Sequence, residues 1–226
     1  MDLKIADIKN HLPAFLEKLD SWNSECLRTY LSLEYKEADL RKSVFSKFFL
    51  LFTNMALHVE LLKENALEEI LEQRKKNHIK VIGIDYRENF LKFTLRSLYS
   101  EAFELIEHLM VSVLDAAQVK KDPKKYIPIS LIIKGEVYQG KMQDSFKSKF
   151  KEDFFANILN EKEKAFLLNF ADKYRNPRHN NYKGMTFIFS DNNNWSEFTD
   201  LIVVAQKIVY NDRVKRLSFV EDHIPR

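Results

Sequence analysis

Scarcity of glycine is the feature that most restricts the folds open to this chain. Only four of its 226 residues are glycine, at Gly83, Gly135, Gly140 and Gly184. An average protein contains about 7% glycine, which provides the positive φ angles of tight turns and allows backbone to approach a phosphate closely. We therefore expect neither a glycine-rich nucleotide-binding loop nor a sandwich or barrel with many tight turns. The fold class that remains is one of long helices joined by few connections.

The composition predicts a chain that folds around a hydrophobic core. Hydrophobic residues make up 45% and charged residues 31% of the sequence, unlike the composition of disordered chains. The single cysteine, Cys26, cannot form an internal disulfide, and we find neither a signal-peptide pattern nor a run long enough to span a membrane. We expect a cytoplasmic protein with no membrane association. We expect one helical domain over residues 1–226, with an N-terminal part at 1–118 and a C-terminal part at 141–217.

Apolar residues recur at helical spacing along most of the chain. The clearest helix begins near residue 86 and runs to about 118, and its apolar positions alternate at intervals of four and three residues. Before it we expect a helix that starts at Pro13 and a second from about 37 to 77, separated by a break near residues 33–37. The second is apolar around so much of its circumference that we expect it at the centre of a bundle.

The C-terminal part also predicts helices. We expect one helix at 141–159. A capping box of Asn160 and Glu163 opens the next helix, which has Ala165, Leu168, Asp172 and Arg175 on one stripe and ends near Pro177. Asn194 caps the last helix, which has one face of Trp195, Phe198, Ile202, Ala205 and Val209. Residues 79–84 and 185–189 are β-branched or aromatic, which is typical of a short strand or an extended loop. The fold class is therefore all-α, an antiparallel bundle of five to seven helices.

We expect no metal site and no cofactor. Di-iron bundles use Glu-x-x-His pairs, and no such pair occurs in this sequence. Glu101, Glu104 and Glu107 form an acidic row beside His108, which we interpret as a solvated helix face.

Other isolated side chains favour structural roles. His58 falls on an apolar stripe of the second helix, where we expect a hydrogen-bonded residue of the core or of a helix seam; the alternative is a residue that faces a cleft. Cys26 has no neighbouring histidine or basic cluster, so we expect a small buried residue. Four phenylalanines of the second helix are expected to fill the core, and the alternative is a pocket for a small molecule or nucleotide: Phe45, Phe48, Phe49 and Phe52.

The segment 172–183 has the most unusual composition of the chain. Arginine, histidine, asparagine and tyrosine are concentrated there at the end of a predicted helix, and residues 141–183 contain 10 basic and 6 acidic residues, a net charge of +4. A histidine with a pKa near neutrality can exchange a proton with a ribose 2′-hydroxyl, and a guanidinium can stabilise charge on a phosphate. Tyrosine rings can stack on bases. This set suits RNA phosphodiester cleavage, and the alternative is a polar surface loop.

The run Arg175-Asn176-Pro177-Arg178-His179, with Tyr174 before it, resembles the signature of the HEPN superfamily. Its members are helical-bundle proteins, many of them metal-independent endoribonucleases of prokaryotic toxin–antitoxin, anti-phage and RNA-processing systems. In the family signature the histidine comes one residue later. Here the spacing is R-x3-H, and Asn180 occupies the usual histidine position.

The resemblance implies roles for particular residues. Arg175 would hold the phosphate, Asn176 would orient the histidine or the sugar, and His179 would be the acid or base. Five further residues would bind RNA: Lys173, Tyr174, Arg178, Tyr182 and Lys183. The resemblance also implies a homodimer in which two Arg–His sets face one cleft, and an antitoxin or other protein partner. The product would carry a 2′,3′-cyclic phosphate. The shifted histidine leaves an endoribonuclease and an RNA-binding relative both open, and the bundle pattern leaves a non-catalytic dimerisation or interaction module as the alternative.

Overall fold

The computed structural model describes residues 5–63, 86–121, 153–171 and 196–219. All regular structure within these ranges is helical, which confirms the all-α bundle. The predicted extended segments at 79–84 and 185–189 lie outside the described residues. The helices are α1 (Ile5–Ser32), α2 (Leu40–Lys63), α3 (Tyr86–Lys121), α4 (Asp153–Ala156), α5 (Glu161–Phe170), α6 (Ser196–Val209) and α7 (Asp212–Lys215).

Helix α1 begins earlier than the sequence predicts. It starts at Ile5, so Pro13 lies inside the helix rather than in its first turn. An internal proline removes one backbone hydrogen bond and costs roughly 3 kcal/mol. Pro13 is on the exposed side, while Leu12, Phe15 and Leu19 are buried on the other, and their burial offsets that cost.

Four long helices enclose the core. Helix α1 packs on α2, α2 on α3, α3 on α6, and α6 on α1, which closes the ring. Residues 33–39 connect α1 to α2 as an antiparallel hairpin, and the ring of Trp22 contacts that of Phe52 across it. The predicted row on α3 is confirmed, because Leu95, Leu98 and Leu109 are all buried.

Helix α2 is one member of this ring, and the prediction that it is central is wrong. Leu50, Leu57 and Leu61 are 57%, 59% and 45% exposed. The core needs only the opposite side of the helix, where Phe48 and Phe52 are fully buried. The described part of α2 ends at Lys63, and the predicted extension to residue 77 lies outside the described residues.

Helix α5 begins as predicted but is rotated relative to the prediction. The capping box is confirmed, since the Glu163 N–H donates to Asn160 Oδ1 at 2.9 Å and the Asn160 N–H donates to Glu163 Oε2 at 2.7 Å. The predicted stripe through Ala165 is wrong, because Ala165 is exposed and Leu167 and Phe170 are buried. Contacts of Phe170 with α3, described below, set this rotation.

The segments around α5 and α6 match the predictions in part. Of the predicted helix 141–159, the described portion contains the single helical turn α4 and a further turn at 157–158. The apolar face predicted for α6 is confirmed by the complete or near-complete burial of Phe198, Ile202, Ala205 and Val209. Asn194, the predicted cap, lies outside the described residues.

Helices α1 and α6 run parallel and are joined by polar side chains. Trp22 Nε1 donates to Thr199 Oγ1 at 2.9 Å, and Gln206 Nε2 donates to Thr29 Oγ1 at 2.8 Å. Later residues of α1 thus meet later residues of α6, which fixes the direction. The two helices are not consecutive in the chain, so the short connections that favour antiparallel neighbours do not act on this pair.

Candidate functional site

All residues predicted to act on RNA lie between α5 and α6, in the range 172–195, outside the described residues. They are Arg175, Asn176 and His179, and the RNA-binding set Lys173, Tyr174, Arg178, Tyr182 and Lys183. The structure describes the residues on either side of this range. Helix α5 ends at Phe170, and α6 begins at Ser196.

Both flanking helices are anchored on one ring of α3. The centroid of the Tyr99 ring lies 5.7 Å from that of Phe170 and 4.5 Å from that of Phe198. Phe170 also stacks on Phe103 with centroids 6.0 Å apart, and all four rings are buried. The last turn of α5 and the first turn of α6 therefore meet at Tyr99. The connection between them, which contains residues 172–195, therefore begins and ends at neighbouring points of the bundle.

Further contacts fix α6 in place. The Phe198 ring lies 5.1 Å from Trp22 and 5.8 Å from Phe52, measured between centroids. Lys207 Nζ of α6 donates to both carboxylate oxygens of Glu163, at 2.8 and 2.7 Å. Since Glu163 also completes the capping box, one carboxylate orders the start of α5 and ties it to α6. A rigid frame of this kind is what positions functional segments in many proteins.

Arg41 is the centre of a buried polar cluster. Its Nε donates to Asp39 Oδ1 at 2.9 Å, and Nη2 donates to Asp39 Oδ2. Its Nη1 donates to the carbonyl oxygens of Val214, Lys215 and Leu217 at 3.0, 3.2 and 3.1 Å. One carboxylate therefore balances the charge of the guanidinium, and backbone carbonyls around the end of α7 accept hydrogen bonds from its Nη1.

Aromatic rings also contact the Arg41 guanidinium. Its central carbon lies 3.8 Å from the centroid of Tyr35 and 4.5 Å from that of Phe219. Burial raises the pKa of the Tyr35 hydroxyl, although the Arg41 charge opposes the shift. Arg41 is only 5% exposed. Through these contacts, the buried Arg41 side chain joins the α1–α2 turn to the C-terminal segment.

Within the described residues, one open groove lies between α2 and α3 and another lies between α1 and α6. The groove between α2 and α3 has a volume of about 420 Å³, with Lys47, Leu50 and Asn54 on one wall and Glu104 and His108 on the other. In the described ranges, no three His, Cys, Asp or Glu side chains are grouped so that they could hold a metal ion.

The second groove, about 500 Å³, lies between α1 and α6. Its polar side chains bond to one another. Gln206 Nε2 donates to Glu25 Oε1 at 2.6 Å, and the hydroxyls of Ser32 and Tyr210 share a hydrogen bond. These pairs hold the two parallel helices together.

Of the predictions for isolated side chains, some are confirmed and one is wrong. Cys26 is fully buried, as predicted, and burial raises the pKa of its thiol to about 12. Phe45, Phe48 and Phe52 are in the core as predicted. The core position predicted for His58 is wrong, because the side chain is exposed. It follows Leu57 on the outward side of α2.

Two features of the structure are not evident from the sequence. Nothing in the spacing around Arg41 indicates that three of its hydrogen-bond acceptors are backbone carbonyls 173 to 176 residues away. The exposed leucines of α2 repeat at the same helical intervals as its buried residues, so the pattern alone does not separate the two sides.

Helix α2 is also the one helix of the described part that is long and apolar enough, over Leu40–Leu61, to cross a membrane. This is weak support for a membrane span, because the core helices of soluble proteins meet the same criteria.

No protein-family model, no curated protein and no solved structure matches the chain.

Proposed function

We propose that this protein is a HEPN-like, metal-independent endoribonuclease that acts in the cytoplasm within a prokaryotic defence or toxin–antitoxin system. The proposal rests on the sequence of the segment 172–183, with its Arg175-Asn176 pair and His179. The structural observation that supports it is the shared anchor at Tyr99, which receives both Phe170 and Phe198. Reactive groups need a scaffold that restricts their positions, and these two contacts fix both ends of the connection that contains them.

In this proposal the chemistry needs only side chains. His179 takes the proton of a ribose 2′-hydroxyl, whose oxygen then attacks the adjacent phosphorus. Arg175 stabilises the negative charge that develops on the phosphate oxygens, and Asn176 orients the reacting groups. As the new bond from the 2′-oxygen to phosphorus forms, the bond from phosphorus to the 5′-oxygen breaks; the 5′-oxygen takes up a proton from water, and the remaining strand ends in a 2′,3′-cyclic phosphate. DNA has no 2′-hydroxyl and is not cleaved.

The test is cleavage of an end-labelled RNA oligonucleotide in the presence of EDTA, beside the DNA of the same sequence. We expect the wild type to cut the RNA and leave a 2′,3′-cyclic end. His179→Ala and Arg175→Ala should each lower the rate at least about 100-fold, the usual contribution of such groups. Arg28→Ala is the matched control, since the Arg28 side chain is 75% exposed on α1, and it should cleave like the wild type.

Failure to cut RNA, or equal rates for the wild type and His179→Ala, would overturn catalysis. Binding of the same RNA is measured separately by fluorescence anisotropy. Binding without cleavage, lost in Arg175→Ala, would identify an RNA-binding relative.

A helical interaction module is the second candidate, favoured by the exposed Leu50, Leu57 and Leu61 of α2. It predicts that Arg175 and His179 substitutions change nothing and that changes on the helix face abolish function.

A further inference from the structure

The turn between α1 and α2 and the C-terminal segment meet at one end of the bundle, and that end is positively charged. Arg41 joins them there through the carbonyl oxygens of Val214 and Leu217. Residues 30–42 and 207–219 contain seven basic and four acidic residues, a net charge of +3. The rest of the described residues contain 12 basic and 15 acidic residues, a net charge of −3. Such a separation of charge is typical of a surface that attracts a polyanion.

Three of these cations occupy four consecutive positions at the end of the bundle. Arg213, Lys215 and Arg216 are exposed on α7 and directly after it, while Val214 between them is buried. Lys215 Nζ lies 3.8 Å from a carboxylate oxygen of Asp212, and within the described residues the side chains of Arg213 and Arg216 form no ion pair. Their guanidinium groups can therefore bind phosphate oxygens without first giving up a carboxylate.

Tyrosine rings lie among the cations. Tyr210 is 40% exposed, and Lys215 Nζ lies 5.9 Å from the centroid of its ring. A hydrogen bond between the hydroxyls of Tyr210 and Ser32 restricts the position of this ring. At the start of α2, Lys42 Nζ lies 4.6 Å from the centroid of the Tyr30 ring. Rings that stack on bases, set among cations that contact the backbone, are the combination that binds single-stranded nucleic acid.

We propose that this end of the bundle binds a single-stranded stretch of RNA. The surface, which we call the basic end, consists of Lys42, Tyr210, Arg213, Lys215 and Arg216. An acidic protein segment would need the cations alone, whereas the exposed ring of Tyr210 beside them favours a ligand that also carries flat bases. The choice of RNA rather than another nucleic acid rests on the proposed function.

The basic end is separate from the connection 172–195. That connection returns to the bundle next to Phe198, and Tyr210 directly follows the same helix 12 residues later. This separation corresponds to roughly 18 Å along α6. The basic end therefore holds a part of the RNA strand other than the bond that is cut, and its contribution is to affinity rather than to the chemical step.

The first experiment measures the binding of a fluorescent RNA of about 20 nucleotides, longer than the usual single-strand site, by anisotropy. Its 2′-hydroxyls are methylated, so that the wild type cannot cut it. The variant with Arg213→Gln and Arg216→Gln should bind at least tenfold more weakly. Because two phosphate contacts are lost, the slope of log affinity against log salt should decrease in magnitude by about 1.4.

A charge-matched variant is the control for this experiment. Lys18→Gln and Lys162→Gln remove two exposed cations on α1 and α5, and together they should change the affinity less than about twofold. Circular dichroism verifies that both double variants remain folded. A wild type that does not bind the RNA, or equal losses in the two double variants, would overturn the proposal.

The second experiment examines the ring of Tyr210. Tyr210→Phe keeps the ring and removes the hydroxyl, so it should bind RNA like the wild type. Tyr210→Leu removes the stacking surface and should weaken binding about tenfold. Equal affinities for the two variants would contradict stacking and leave no reason to prefer RNA over an acidic protein.

Competition with poly-L-glutamate separates these two ligands. It has the charge of RNA without bases, and we expect RNA to stay bound when the two are present at equal concentrations of charge. Displacement under this condition would identify a surface for an acidic protein and overturn the RNA assignment.

Because binding is measured without cleavage, this inference and the proposed function fail separately. A wild type that binds through the basic end and cuts no RNA refutes the endoribonuclease alone. A wild type that cuts RNA and keeps its affinity after Arg213→Gln and Arg216→Gln refutes the basic end alone.

Discussion

The ring of Tyr99 on α3 packs against the ring of Phe198 at the start of α6, with centroids 4.5 Å apart and planes inclined by 35°. Phe170 contacts the same tyrosine from the end of α5. One aromatic side chain thus determines where the chain leaves α5 and where it returns in α6. Disturbing this ring should therefore affect the connection 172–195 without altering any of its residues.

Replacement of Tyr99 by leucine tests that relationship. Leucine keeps much of the buried volume but loses two ring contacts, so we expect about 1–2 kcal/mol less stability in urea unfolding. At temperatures where the variant is fully folded, RNA cleavage should still fall several-fold, because the ends of the connection are no longer fixed. Phe48→Leu, at a fully buried ring of α2, is the control. It should lose similar stability and retain the cleavage rate; parallel losses in both would refute a positioning role for Tyr99.

Removal of the Arg41 side chain should destabilise the whole bundle. Arg41→Ala leaves Asp39 and three carbonyl oxygens without their donor, and we expect a loss of about 3–5 kcal/mol in the free energy of unfolding. Arg41→Lys should recover little of it, since an ammonium cannot reproduce the planar array of donors. Arg28→Ala, which breaks an exposed ion pair with Glu25, should change stability by less than about 1 kcal/mol. Comparable losses at both arginines would contradict the role given to Arg41.

The contact between Trp22 and Thr199 can be measured by a double-mutant cycle. Trp22→Phe retains a ring in the core but removes the Nε1–H donor, and Thr199→Val removes the acceptor. Each single change should cost about 1–2 kcal/mol, and the double variant less than their sum by about 0.5–1 kcal/mol. Strict additivity in chemical denaturation would show that the hydrogen bond does not couple α1 to α6.

Glu163 should contribute more to stability than its capping partner. Asn160→Ala removes the helix cap and is expected to cost about 1 kcal/mol. Glu163→Ala removes the reciprocal half of the cap and also the link to Lys207, so its thermal denaturation midpoint should fall further. Lys207→Ala separates the two effects, because it breaks the link and leaves the cap intact. A smaller effect for Glu163→Ala than for Asn160→Ala would exclude the double role.

Cys26 gives a pH dependence with a definite sign. Burial raises the pKa of its thiol from 9.0 to about 12. Below pH 9 the thiol is protonated in the folded and unfolded states alike, and its full contribution to stability is present. As the pH rises from 9 toward 12 the unfolded chain ionises first, so stability falls by up to about 1.4 kcal/mol per pH unit. Urea unfolding between pH 8 and about 11, set against Cys26→Ala, isolates this slope. Identical slopes for the two proteins would contradict it.

Local signals predicted the parts of the fold that depend on neighbouring residues. The Asn160–Glu163 box acts within one turn, and the row through Leu95, Leu98 and Leu109 reports burial of one face of a single helix. Long-range contacts were not predictable in this way. The rotation of α5 depends on where Phe170 meets α3, and the parallel direction of α1 and α6 depends on side chains about 180 residues apart.

For the candidate site, only the concentration of particular residue types is predictable from the sequence. The sequence indicates which residue types are concentrated at 172–183, but nothing in it shows that the flanking Phe170 and Phe198 meet at Tyr99. The exposed side of α2 was missed for a related reason. A leucine contributes equally to the hydrophobic pattern whether its side chain is buried or exposed. The pattern therefore does not distinguish the exposed Leu50 and Leu57 from buried residues.

The fastening of Arg41 to the carbonyls of Val214 and Leu217 sets an order of events during synthesis. Arg41 leaves the ribosome 173 residues ahead of the first of these acceptors. At about 5–20 residues per second, roughly ten to thirty-five seconds pass before the guanidinium can make those bonds. Until the chain has been made through Leu217, the Arg41 guanidinium of the α1–α2 hairpin bonds to Asp39 but lacks the full set of its carbonyl acceptors. A chain that ends before Val214 lacks all three carbonyl acceptors, so that of these partners only Asp39 remains to bond the Arg41 guanidinium.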